Sequence, residues 1–71
     1  MKNKVERIRK DIETSERKFN EANEKIGKAL AKEDFSAGQK WQNEALSLSA
    51  KLDLQRRALE IAQREEGDEK N

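Results

Sequence analysis

The sequence predicts an all-α protein, a long antiparallel two-helix coiled-coil hairpin that assembles into a helical bundle. Three observations lead there. Pro is absent and Gly occurs only at 27, 38 and 67, while Ala, Leu, Glu, Lys, Gln and Arg dominate the rest; these are strong helix formers. Apolar residues recur at alternating steps of three and four in both halves, the signature of a coiled-coil seam. The two halves are out of phase, so one uninterrupted rod does not accommodate both.

The first helix is expected over about 4–33. Val5, Ile8, Ile12, Ser15, Phe19, Ala22, Ile26 and Ala29 form an unbroken heptad stripe, with Asn3 and Glu6 spaced to cap its start. Gly27 falls on the outward side of this helix, where it costs about 1 kcal/mol against Ala unless a neighbour comes close.

The second helix is expected over about 36–65. Its stripe runs through Gly38, Trp41, Ala45, Leu48, Leu52, Gln55, Leu59 and Ala62, with Gln55 as the one long polar member. Continuing the first stripe past Glu33 predicts a seam residue at Lys40, whereas the second stripe starts at Gly38. That step of five from 33 to 38 is neither a three- nor a four-residue insertion, so the rod breaks. A tight turn at about 33–36 follows, with Asp34 or Ser36 as N-cap and Ser36 to Gln39 at capping-box spacing. Helices of this length joined by so few residues lie antiparallel. Phe35, Gly38 and Trp41 are then expected to plug the closed end, Gly38 by letting the backbones approach.

Residues 1–71 make a single domain, with 66–71 expected as a frayed acidic tail. Only 32% of the residues are hydrophobic against 44% charged, which makes any core thin. The 16 basic and 15 acidic residues nearly cancel, so no one-signed repulsion opposes folding. Lys2, Lys4, Arg7, Arg9 and Lys10 crowd the start of the first helix, and Glu65, Glu66, Asp68 and Glu69 follow the end of the second. Both groups oppose the helix macrodipole, and an antiparallel fold offsets this by bringing them together. Six acid-first pairs at i,i+4 add support: Glu6–Lys10, Glu13–Arg17, Glu21–Lys25, Glu24–Lys28, Asp53–Arg57 and Glu60–Arg64.

Cys and His are both absent, which removes disulfides, thiolate nucleophiles, the commonest general base and the commonest metal ligands. No phosphate-binding glycine loop or nucleophile–base pair is present. The expectation is therefore a protein that is not an enzyme and uses no cofactor and no metal. Apolar runs stop at three residues, Ala29-Leu30-Ala31, far short of a membrane span or a signal peptide, so a cytoplasmic protein without a membrane partner is expected.

What remains is surface. Leu46, Ala50, Leu54, Ala58 and Ile61 lie outside the second seam, and a two-helix hairpin leaves them wet. They are the expected interface, either for a second copy, with a dimer favoured, or for another protein's helix. Nucleic-acid contact would fall to Lys2, Lys4, Arg7, Arg9 and Lys10, but that cluster lacks aromatics and has acidic residues within reach, which argues against it.

The turn region from Ile26 to Ala45 resembles the UVR-type helical hairpin of excision-repair proteins. Asp34-Phe35, Gly38, Trp41, Asn43-Glu44, Ala45 and Leu48 occupy the places where that family has an acidic-aromatic opening, a small residue, a large apolar residue, an acid or amide and further apolar residues. Trp41-Gln42 replaces the family's usual Leu-Arg. The resemblance implies a protein-docking hairpin and names no specific partner. The function expected is a small self-associating interaction module, of the kind found among bacterial or phage accessory proteins, that docks on or blocks a partner. The alternative is a nucleic-acid-associated regulator that uses the basic N-terminus.

Overall fold

The computed structural model describes the backbone of residues 4–70 and the side chains of residues 4–66. Two helices make up the fold, α1 over Lys4–Ala31 and α2 over Phe35–Lys70. They pack along their length as a hairpin 57 Å long and 18 by 12 Å in section. At 1.5 Å per residue the 36 residues of α2 span about 54 Å, so α2 alone sets the long dimension.

Both heptad stripes face inward. Val5, Ile12, Ser15, Ala22 and Ala29 on α1 are buried, as are Gly38, Ala45, Leu48, Leu52 and Ala62 on α2. Ile8, Phe19, Ile26, Trp41, Gln55 and Leu59 are half-buried between them. The register follows from contacts: Ala22, Ala45 and Leu48 pack together with Phe19, Ile26 and Trp41, and Gly38 lies against Ala29 and Leu30. Heptad steps toward the open end then bring Ser15 level with Leu52, Ile12 with Gln55 and Ile8 with Leu59. Near the turn, layers of small residues (Ala22 with Ala45, Ala29 with Gly38) alternate with layers of large ones (Phe19 with Leu48, Ile26 with Trp41). Large side chains thereby fill the space beside a close backbone approach.

The turn is shorter and placed earlier than the periodicity predicts. Asp34 N–H donates to the Ala29 carbonyl at 2.8 Å and Glu33 N–H to the Leu30 carbonyl at 3.0 Å. Together these bonds make a Schellman motif with Glu33 at its left-handed position, φ 57°. Asp34 then turns from closing one helix to opening the next. Its carboxylate oxygen accepts from Ala37 N–H at 3.1 Å, and its carbonyl accepts from Gly38 N–H at 3.0 Å. Ser36 sits inside α2, so the capping box expected from Ser36 to Gln39 is not made. The Asn3 cap expected for α1 lies outside the described residues.

Two further expectations are corrected. Phe35 is 66% exposed and does not plug the hairpin end, because as first residue of α2 it lies one position past the seam that Gly38 and Trp41 follow. And α2 continues to Lys70, past the end expected at about 65. Glu66 takes the next seam position and is half-buried, and Gly67 without a nearby Pro does not stop a helix.

Candidate interaction surfaces

Ion pairs flank the seam on both sides. Lys4 Nζ meets Glu65 Oε1 at 3.2 Å, which joins the basic start of α1 to the acidic end of α2. Arg56 Nη2 meets Glu16 Oε2 at 3.0 Å across the opposite side. All four side chains are about half exposed, so each pair is worth about 0–1 kcal/mol and serves alignment more than stability.

The apolar residues left over by the seam stand in solvent. Leu46 is 63% exposed, Leu54 64% and Ile61 54%, with Ala50 and Ala58 exposed between them. At 100° per residue these five span about a third of the circumference of α2. They run obliquely from near the closed end toward the open end, as the spacing predicts. Charged neighbours are drawn to one edge of the strip: Arg57 Nη2 bonds Asp53 Oδ2 at 3.2 Å and Arg64 Nη2 bonds Glu60 Oε1 at 3.3 Å. Two of the six expected i,i+4 pairs are thus closed in the structure.

Leu46 also joins a groove that spacing alone does not single out. Phe19, Ile26, Leu30, Ala45 and Leu46 line an open depression of about 380 Å³, with Asn23, Gln42 and Ser49 at its rim. Leu30 is exposed beside it. Its place next to the seam rather than in it hides Leu30 from a one-helix periodicity, and only the pairing of the two helices reveals the groove.

On the other side of the closed end lies a basic-aromatic cluster that the sequence reading also missed. Lys25 Nζ stands 4.2 Å from the centroid of the Trp41 ring and Lys40 Nζ 5.5 Å from it. Both lie within cation–π range. Lys28 and Lys32 line the same recess with Asp34. The signal was present in the spacing of Lys25 and Lys28 on α1 and Lys32 just past its end. Lys25, expected to pair with Glu21, lies over Trp41 instead.

Among the N-terminal cations Lys4, Arg7 and Lys10 are exposed and, at steps of three residues, share one side of α1, whereas Arg9 stands about 100° or more from each of them. Lys4 is paired with Glu65. Lys2 lies outside the described residues. Among the described residues, no group of three or more Asp or Glu is placed to hold a metal ion, and no helix is long and apolar enough to cross a membrane. Comparison with protein-family models, curated proteins and solved structures finds no match to this chain.

Proposed function

We propose that this chain is a small non-enzymatic interaction module that self-associates and docks on, or blocks, a partner protein. Its action is the occupation of a surface, and no bond-making chemistry is assigned to any residue. The single observation behind the reading is the set of three large apolar side chains, Leu46, Leu54 and Ile61, standing more than half exposed on the solvent side of α2. A chain with a thin, Ala-rich seam leaves a large share of its apolar surface wet, and association is the ordinary way to cover it. The likeness of the turn region to UVR-type docking hairpins points to the same class of function. On this reading the protein works in the cytoplasm as an accessory factor.

The experiment is the mass in solution. The wild-type chain is expected to sediment above its monomer mass of 8.2 kDa at micromolar concentration. Leu54→Glu with Ile61→Glu is expected to return it to monomer without loss of helical circular dichroism. A wild-type chain that stays monomeric at hundreds of micromolar defeats the self-association half of the proposal.

A second reading, association with nucleic acid through the basic N-terminus, draws added support from the Lys25, Lys28, Lys32 and Lys40 cluster around Trp41. Counterion release makes such binding fall steeply with salt. A complex with single-stranded DNA or RNA at physiological salt, lost on Trp41→Leu with Lys28→Gln, would favour it over protein docking.

A further inference from the structure

Leu46, Ala50, Leu54 and Ala58 form one row at i,i+4 spacing, with Ile61 beside its far end. Read in either direction the order is large, small, large, small, large, with Leu54 at the centre. A surface with that order is its own complement when turned end over end. Two identical helices meeting at Leu54 set Ala50 of each copy opposite Ala58 of the other, and Leu46 of each toward Ile61 of the other.

We propose that the occupant of this strip is a second copy of the chain, with α2 packed antiparallel on α2 and Leu54 on the two-fold axis. The proposal rests on the self-association reading above and adds its geometry. Charge chooses the direction. Asp53 and Arg57 flank Leu54 on the same edge of the strip, 3.2 Å apart within one chain. Antiparallel packing brings Asp53 of each copy toward Arg57 of the other and closes a ring of four alternating charges. Parallel packing would put the Asp53–Arg57 edges of the two copies on opposite sides of the contact, so no such ring closes and the charge complementarity is lost. Rows at i,i+4 spacing interlock when two helices cross at about 50°, so the contact is centred on Leu54 and the two hairpins diverge toward their ends. A symmetric two-fold contact of this kind closes on itself and stops at the dimer.

The natural chain has no cysteine, so single substitutions report the axis directly. Leu54→Cys, at an exposed position that no seam layer uses, is expected to cross-link into a covalent dimer on mild oxidation with copper–phenanthroline. A residue on the axis faces its own copy within the Cα separation a disulfide needs, about 4.4–6.8 Å. Leu46→Cys, equally exposed but two turns from the axis, is expected to stay uncross-linked, as is Lys10→Cys on the back of α1. Cross-linking of both Leu54→Cys and Leu46→Cys would mean parallel packing and overturn the geometry. A chain that sediments as a dimer while Leu54→Cys fails to cross-link overturns the geometry and leaves self-association standing. A monomer at hundreds of micromolar overturns both and assigns the strip to a different protein.

Discussion

Asp34 N–H donates to the Ala29 carbonyl at 2.8 Å, and this bond closes α1 on the same residue whose carboxylate opens α2. Between them Glu33 holds φ at 57°, a left-handed conformation that costs a side-chain-bearing residue about 1 kcal/mol and glycine nothing. Glu33→Gly is therefore expected to stabilise the fold by about 0.5–1 kcal/mol. Urea denaturation followed by circular dichroism measures it, and an unchanged midpoint would refute the strain assigned to this residue.

The glycines inside the helices separate propensity from packing. A Cβ on Gly27 would meet nothing within 4 Å, so Gly27→Ala is expected to gain about 1 kcal/mol. A Cβ on Gly38 would lie 3.3 Å from Leu30 Cδ2, the far end of an exposed and movable side chain. Gly38→Ala should thus keep part of the helix-propensity gain, about 0.5 kcal/mol, whereas Gly38→Leu should lose about 2 kcal/mol by forcing the helices apart. Equal effects of Ala and Leu at position 38 would contradict the close approach.

Gln55 carries a buried Oε1 that accepts no hydrogen bond among the described residues. It stands level with Ile12, inside the seam. Leaving such an oxygen unsatisfied costs about 1–3 kcal/mol, so Gln55→Leu is expected to raise stability by about 1–2 kcal/mol. Thermal melts of the two proteins decide it, and a lower melting temperature for the variant would show the amide to be better placed than the packing suggests.

Two heptads inward from the Lys4–Glu65 pair, the same register sets Lys18 on α1 opposite Lys51 on α2, like charge facing like charge. Lys51→Glu is expected to add about 0.5 kcal/mol at low ionic strength. The gain should vanish in about 1 M salt, where screening acts over roughly 3 Å. A gain that persists in high salt would rule out this electrostatic origin.

Most of the architecture was legible because the seam residues carry it. Every member of both stripes is buried or half-buried, and the five-residue phase step from 33 to 38 marks the fold-back. The oblique strip of Leu46, Ala50, Leu54, Ala58 and Ile61 was legible for the same reason, being a second periodicity on one helix. Phe35 was misread because an aromatic beside a turn invites a plug, whereas one residue along a helix is 100° of rotation and carries the ring outward. The groove at Leu30 and the lysines around Trp41 join residues from two helices. A pattern read along one strand of sequence does not contain such juxtapositions until the register is known.

The layered register also dictates an order of assembly. Ala29 and Gly38 are neighbours in the chain as well as in space, whereas Val5 and Ala62 meet only after nearly the whole polypeptide has been drawn together, and the entropy lost in closing a loop grows with its length. The protein should therefore close like a zip whose slider starts beside Asp34. When strained it should part first where Lys4 touches Glu65, so amide hydrogens there would be the earliest to exchange.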